Sequence, residues 1–116
     1  MHSFKDLKIW QKGRGLVKEV YLTSRQLPEE EKFGLVSQMR RAATSIPINI
    51  AEGAGRGSNK DFCRFLDIAS GSLCELETCF YLCYDIEYID QVLLDNFVLK
   101  IEEIRKMLFS FKQKIN

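Results

Sequence analysis

The sequence predicts an all-α protein, an antiparallel up-and-down four-helix bundle formed by a single domain over residues 1–116. Apolar residues recur at alternating spacings of three and four along four segments, which is the period of an amphipathic helix. The β-branched residues follow the same spacing, so no segment alternates as a strand does. Only two prolines and no long Gly/Ser/Pro stretch interrupt the chain, so its connections are short and consecutive helices are antiparallel.

The composition is that of a globular protein. The chain has 116 residues, of which 46% are hydrophobic and 28% charged, a balance that suits one domain with one core and differs from that of a disordered chain. No apolar run approaches the roughly 18 residues of a membrane span, and the N-terminal sequence does not resemble a signal peptide. We therefore expect a cytoplasmic protein without membrane association.

The first two helices are predicted to be separated by a turn at Pro28. The first should run from about Lys5 to Ser24, and Pro28 followed by three glutamates suits the start of the second. Pro47 is expected to kink or briefly break the second helix, which then ends in a glycine-rich segment. The predicted inward rows are Leu7, Trp10, Val17, Val20 and Tyr21, then Val36, Met39, Ala43, Ile46 and Ile50.

Two longer helices are predicted in the second half of the chain. Ser58, with Asp61 three residues later, should cap a third helix that runs to about Tyr88, and Asp90 should cap the fourth. The predicted inward rows are Phe62, Phe65/Leu66, Ala69, Leu73, Leu76, Phe80 and Cys83/Tyr84, then Leu94, Phe97, Ile101, Ile104, Leu108, Phe111 and Ile115.

The four cysteines are expected to be free thiols that pack as small hydrophobic residues. All of them, Cys63, Cys74, Cys79 and Cys83, fall within the third predicted helix, too close in sequence to link distant parts of the chain. His2 is the only histidine, and the chain has no C-x-x-C pair, so we expect neither a metal nor a cofactor.

Two of the predicted helices carry a second face that a single bundle does not need. On the second helix, a polar ridge lies away from the inward row and consists of Gln38, Arg41, Ser45, Asn49, Glu52 and Arg56. The third helix has a second apolar row, formed by Ile68, Cys79, Leu82 and Ile86 with Glu75 among them. A helix that is apolar on two sides has two packing partners, so we predict a closed cyclic homo-oligomer. The interface residues are expected to be Arg41, Ser45, Asn49, Glu52, Ile68, Glu75, Cys79 and Leu82. A ligand site and a solvated face are the alternatives for the ridge on the second helix.

Charge is distributed unevenly along the chain. The net charge is only +1, but residues 1–60 carry 11 Lys/Arg against 6 Asp/Glu, whereas residues 61–116 carry 6 against 10. Such an asymmetry is typical of a surface that binds a polyanion, and equally of helices that attract each other. The candidate nucleic-acid contacts are Lys5, Lys8, Lys12 and Arg14 on the first helix, with Arg40, Arg56, Lys60 and Arg64 assigned to the second-to-third connection.

One run of the sequence resembles a known family. It extends from Gln38 to Gly53 (QMRRAATSIPINIAEG), is followed by Phe62, Phe65-Leu66, Ala69, Gly71-Ser72 and Glu75-Leu76-Glu77, and is preceded by Phe4-Lys5-Asp6-Leu7-Lys8-Ile9-Trp10. Together these motifs resemble the 23S rRNA intervening-sequence protein family of bacteria, over nearly the whole chain. The resemblance implies a four-helix bundle assembled as a homopentamer.

A looser resemblance extends to the accessory proteins of diversity-generating retroelements. It implies a pentameric bundle that binds a reverse transcriptase and nucleic acid. Those relatives are strongly basic, and this chain departs from that pattern with its net charge of +1.

Two functions are compatible with the sequence. The first is a non-catalytic, oligomeric module associated with RNA or with a nucleic-acid-processing protein; the second is a protein-interaction scaffold with no nucleic-acid role. An enzymatic function has little support, because the paired Glu-x-x-His motifs of di-iron bundles, a Ser/His/Asp set and a phosphate loop are all absent from the sequence. Glu52, Glu75 and Glu77 are the only candidate carboxylate cluster.

Overall fold

A computed structural model describes residues 3–116 and contains four α-helices with no strand in that range. The helices are α1 (Lys8–Ser24), α2 (Leu35–Ala54), α3 (Asn59–Asp85) and α4 (Gln91–Ile115), and two short 3₁₀ helices precede α1 and α2 at Phe4–Asp6 and Glu29–Glu31. The all-α prediction is confirmed. Met1 and His2 lie outside the described residues; His2 is the histidine considered above as a metal ligand.

The helices pack in the order in which they occur along the chain. Helix α1 contacts α2, α2 contacts α3, α3 contacts α4, and α4 returns to α1, so that α1 and α3 lie on one diagonal and α2 and α4 on the other. This is the up-and-down arrangement that short connections predict. The described chain measures 44 × 23 × 20 Å.

A single hydrophobic core fills the space between the four helices. The inward row predicted for α2 is entirely buried, and the rows of α3 and α4 are buried over most of their length. Phe80 of α3 and Phe97 of α4 stack with ring centroids 4.1 Å apart. In α3, Phe62 is half-buried and Tyr84 is exposed, so the row is buried from Phe65 to Cys83.

The inward face of α1 differs from the predicted one. The residues Trp10, Val17 and Tyr21 are only half-buried, and the buried residues are Ile9, Gly13, Leu16, Val20 and Ser24. Trp10 packs half-buried against the edge of the core and makes a T-shaped contact with Phe4 of the preceding 3₁₀ helix, with centroids 5.0 Å apart. The choice of face is therefore a tertiary effect, since both rows are compatible with helical spacing.

The sequence predicts a kink or a short break at Pro47; α2 continues through this residue, so the break does not occur. Pro47 and Ile46 are both buried against Gly13 of α1, where an added Cβ would meet them at 3.5 Å. Proline removes one backbone hydrogen bond and disfavours helix at the residue before it. Here the close packing of α1 on this side of α2 holds the helix continuous.

The predicted caps are present at the starts of α3 and α4, but α3 ends earlier than predicted. The hydroxyl of Ser58 accepts a hydrogen bond from the Asp61 N–H at 3.2 Å, and the carboxylate of Asp90 accepts one from Leu93 at 2.9 Å. Helix α3 ends at Asp85, three residues earlier than predicted, because Glu87 takes a left-handed conformation with φ of 72°. The Tyr88 N–H then bonds to the Cys83 carbonyl at 2.8 Å, which closes the helix.

Three of the four cysteines are buried in the interior, and all four are free. The Cys83 thiol lies 3.7 Å from the Met39 sulfur, and burial raises the pKa of this thiol to about 11. Cys74 alone is exposed. The buried thiols pack as small hydrophobic groups.

Candidate nucleic-acid interface and self-association face

One end of the bundle brings together three basic segments, and we call it the basic end. It consists of residues 3–8, the α2–α3 connection at 55–61 and the end of α4 at 112–116, which become neighbours because the helices are antiparallel. These segments hold six cations, Lys5, Lys8, Arg56, Lys60, Lys112 and Lys114, against the carboxylates of Asp6 and Asp61.

The opposite end carries the reverse charge. The two connections there, residues 25–34 and 86–90, hold five carboxylates, on Glu29, Glu30, Glu31, Glu87 and Asp90, against the cations Arg25 and Lys32. The small net charge of the chain therefore results from two ends of opposite sign. A local positive field persists at the basic end.

The eight predicted nucleic-acid contacts are only partly brought together. Lys5, Lys8, Arg56 and Lys60 lie at the basic end, and Arg64 follows one turn into α3. Lys112 and Lys114 were missed, although the antiparallel order of the helices places the end of α4 beside the start of α1.

Several of these cations already have partners within the chain. Lys12 pairs with Glu103 of α4 at 3.0 Å, Arg64 pairs with Asp61 at 3.6 Å, and the guanidinium of Arg14 lies 4.9 Å from the Trp10 ring. Arg56 forms a longer ion pair with Glu52, at 3.7 Å, and its guanidinium lies 4.8 Å from the ring centre of Phe65. Exposed pairs of this kind contribute little to stability and leave the charge accessible.

Arg40 is misplaced by the sequence-based prediction. It lies in the second turn of α2, about 24 Å along the helix from Arg56 by the rise per residue. Its Nε donates to the Ser24 hydroxyl at 2.9 Å, and its guanidinium lies 4.4 Å from the Tyr21 ring. Arg40 thus fastens the end of α1 to α2 and takes no part in the basic end.

A cleft opens at the basic end, between the residues before α1, the α2–α3 connection, the start of α3 and the end of α4. Its volume is about 770 Å³, and its lining includes Leu7, Ala54, Phe62, Phe111 and Ile115. Arg56 and Lys114 contribute the cations, and Asp6 contributes a carboxylate. The cleft joins an apolar floor to a charged rim.

The polar ridge of α2 divides into two parts. Ser45 and Asn49 face α3: the Asn49 amide donates to the Ser45 carbonyl and hydroxyl, each at 2.8 Å, and the Ser72 hydroxyl of α3 donates to Ser45 at 2.8 Å. These groups satisfy one another within the chain. Arg41 and Glu52 are exposed, and Arg41 has no ion-pair partner among residues 3–116.

The second apolar row of α3 is largely exposed in the isolated chain. Ile68 is 42% exposed, Leu82 43% and Ile86 50%, and Glu75 is exposed between them. Together with the exposed Arg41 and Glu52 of α2, they form what we call the α2–α3 face. Cys79 does not belong to it: it is 5% exposed and packs in the core of its own bundle, so its assignment to the interface is corrected.

The candidate carboxylate cluster is not assembled. Glu77 is on the opposite side of α3, where its carboxylate accepts a hydrogen bond from Arg105 of α4 at 2.8 Å. This bond, together with the neighbouring charge of Glu102, raises the pKa of the Arg105 guanidinium above its usual range. Glu52 instead pairs with Arg56.

Residues 3–116 contain no group of three or more His, Cys, Asp or Glu side chains arranged to hold a metal ion. No helix in this part of the chain is long and apolar enough to cross a membrane.

The core and the connections define a four-helix bundle protein, and comparison with known proteins gives its family. The family model described as 23S rRNA-intervening sequence protein matches residues 5–110, so the chain belongs to that family. A comparison with curated proteins finds no match.

A solved structure supports the same assignment. The chain is similar to a protein of unknown function from the S23 ribosomal protein family of Bacteroides thetaiotaomicron, with 28% sequence identity and a TM-score of 0.83. The match covers 90% of this chain and 97% of the other. The family and this relative thus establish the architecture and leave the activity open.

Proposed function

We propose that the protein is a non-catalytic, homo-oligomeric bundle that contacts RNA through its basic end. The observation that carries the proposal is the convergence of six cations from three separate segments. Lys112 pairs with Asp67 at 2.6 Å and Arg56 with Glu52 at 3.7 Å, whereas the other four, Lys5, Lys8, Lys60 and Lys114, form no ion pair within residues 3–116. Phosphate contacts require such a cluster of cations and no particular sequence motif.

Self-association supports this function by repeating the basic end. The α2–α3 face leaves apolar side chains and the charges of Arg41 and Glu75 uncovered in the single chain. A second copy would cover the apolar row and supply opposite charges to pair with these groups. Family membership suggests a closed pentamer, in which five weak basic ends would act together through avidity.

The salt dependence of RNA binding tests the proposal. Retention of a labelled single-stranded RNA should fall steeply as salt rises from about 50 to 200 mM, because each phosphate contact contributes about −0.7 to the logarithmic slope. Lys60→Glu at the basic end should weaken binding, whereas Lys18→Glu, the same change on an exposed residue of α1, should not. RNA that is not retained even at low salt, or equal loss in both variants, would contradict the proposal.

A scaffold that binds proteins only is the second candidate, and the opposite end of the molecule favours it. The Phe33 side chain is 89% exposed there, and α4 exposes Val92 and Leu99 near the acidic connections. Partners that remain bound to the purified protein after nuclease treatment would favour this candidate over RNA binding.

A further inference from the structure

The cleft at the basic end has the size and lining of a ligand site. Its volume of about 770 Å³ lies within the range of roughly 300 to 1,000 Å³ that small-molecule pockets occupy. The walls come from the residues before α1, the α2–α3 connection, the start of α3 and the end of α4. Four parts of the chain therefore shape it, and the packing of the bundle fixes their positions.

The floor of the cleft is aromatic. Phe62 and Phe111 both line it and contact each other edge to face, with centroids 5.3 Å apart and an interplanar angle of 62°. Both rings are only half-buried, so each leaves ring surface uncovered. A planar apolar group that enters the cleft can pack on these rings.

The rim of the cleft carries positive charge from two directions. Arg56 comes from the α2–α3 connection and Lys114 from the last turn of α4. Lys114 forms no ion pair with any residue from 3 to 116, and the only carboxylate on Arg56 is that of Glu52, at the long distance of 3.7 Å. Both cations are therefore available to an anionic group held at the mouth.

The lining also includes hydrogen-bond acceptors. The Asp6 carboxylate has no ion-pair partner in the described range, and it lines the same cleft as the Asn59 side chain. A carboxylate can accept hydrogen bonds from an exocyclic amino group, as Asp and Glu do from base edges. A ligand with an aromatic body, an amino group and a phosphate satisfies all three features at once.

We propose that this cleft binds one unstacked nucleotide, with its base against Phe62 and Phe111 and its phosphate between Arg56 and Lys114. The proposal rests on the RNA contact proposed above and specifies it, since the nucleotide would be one unit of a single strand that crosses the basic end. Stacking on aromatic side chains and phosphate contact with cations are the two interactions by which proteins hold single strands without regard to sequence.

Filling the cleft without altering its charge tests this site. Ala54 lies on the wall and is half-buried, so Ala54→Phe should occupy the space of the base. Gln91→Phe adds the same ring to an exposed position at the opposite end of the bundle, outside the lining, and serves as the matched control. Binding of a fluorescein-labelled oligoadenylate of about ten nucleotides, measured by anisotropy, should weaken about tenfold in the first variant and remain unchanged in the second.

An abasic strand provides an independent measurement on the unaltered protein. A ribose-phosphate oligomer of the same length keeps every phosphate and lacks the bases, so it should bind about tenfold more weakly than oligoadenylate. This comparison holds even if Ala54→Phe fails to fold, which its circular dichroism spectrum and melting temperature will reveal. Binding of adenosine monophosphate alone shows whether the cleft accepts a free nucleotide or only a nucleotide that is part of an RNA strand.

Each outcome decides one of the two proposals. Binding that is salt-dependent but equal for both strands and for both variants overturns the cleft and leaves RNA contact at the basic end intact. A different outcome is that adenosine monophosphate binds, that Ala54→Phe prevents its binding, and that RNA does not bind. This result overturns the RNA function and assigns the cleft to a free nucleotide. Absence of binding by all three probes overturns both.

Discussion

The Tyr88 hydroxyl donates a hydrogen bond to the Glu31 carboxylate at 2.8 Å. This bond joins the two connections, residues 25–34 and 86–90, at the end of the bundle opposite the basic end. The other carboxylate oxygen of Glu31 accepts the N–H of Leu35 at 3.1 Å, at the start of α2. Glu31 therefore replaces the capping side chain that Gly34 lacks. This pair links the start of α2 to the segment that follows α3.

The Tyr88–Glu31 bond should make stability sensitive to alkaline pH. The bond to Glu31 raises the pKa of Tyr88 to about 12, above its ordinary value near 10. Its contribution to stability is therefore complete below about pH 10 and is lost as the pH rises through about 12. Urea denaturation between pH 8 and 12 should show this loss in the unaltered protein and not in Tyr88→Phe.

Tyr81→Phe is the matched control, because Tyr81 is exposed on α3. It should keep the alkaline loss of the unaltered protein. An identical pH profile for Tyr88→Phe and the unaltered protein would show that the bond does not contribute.

Replacement of Glu87 by glycine should stabilise the fold. Glu87 has a φ of 72°, and a left-handed conformation costs a residue with a Cβ roughly 1–2 kcal/mol. Glu87→Gly removes this cost, so the free energy of unfolding should rise by about 1 kcal/mol. Glu87→Gln removes the charge but keeps the Cβ, so it should not raise the free energy of unfolding to the same extent. An equal rise in both variants would show that the effect comes from the charge and not from the backbone conformation.

Two glycines in helices should respond to alanine in opposite directions. A Cβ on Gly53 would lie 2.8 Å from both Phe62 and the Phe65 Cβ, so Gly53→Ala forces α2 and α3 apart and should cost about 1–3 kcal/mol. A Cβ on Gly15 meets nothing within 4 Å, so Gly15→Ala should stabilise α1 by roughly 0.5–1 kcal/mol. Thermal unfolding of the two variants measures both effects. An unchanged or raised melting temperature for Gly53→Ala would contradict the close approach at Gly53, and a lowered one for Gly15→Ala would contradict the open surroundings of Gly15.

Arg40→Ala should destabilise the bundle rather than alter RNA binding. The change removes the hydrogen bond to Ser24 and the packing on Tyr21, and a hydrogen bond from a charged group is worth about 1.5–3 kcal/mol. The exposed Lys18 of α1 is the control, since Lys18→Ala should change the free energy of unfolding by less than about 0.5 kcal/mol. Specific loss of RNA affinity in a stable Arg40→Ala protein would return this residue to the nucleic-acid contacts.

Arg41 and Glu75 should be required for assembly rather than for helix formation. Both are exposed on the α2–α3 face, so Arg41→Ala or Glu75→Ala should lower the molar mass measured by light scattering and leave the circular dichroism spectrum unchanged. Lys18→Ala, on an exposed position of α1, should leave the mass unchanged. An intact oligomer in both variants would remove these residues from the interface.

Much of the fold was predictable because the deciding information is local. The apolar rows of α2, α3 and α4 and the caps at Ser58 and Asp90 depend on residues within one or two turns, and all were found from spacing and residue type. The four cations of the basic end that were predicted, Lys5, Lys8, Arg56 and Lys60, could be grouped because their segments meet in any antiparallel bundle.

The rest depended on neighbours that spacing does not reveal. Spacing did not show that Trp10 packs on Phe4 while Ile9 and Leu16 turn inward. Nor did it show that Pro47 packs on Gly13 within a continuous α2, or that Cys79 is buried. The sequence by itself determined the helices and their order, because these follow from short-range periodicity and short connections. The tertiary structure decided which cations form ion pairs, which residues Arg40 contacts and how four segments form a cleft. These features depend on distances between residues far apart in the chain.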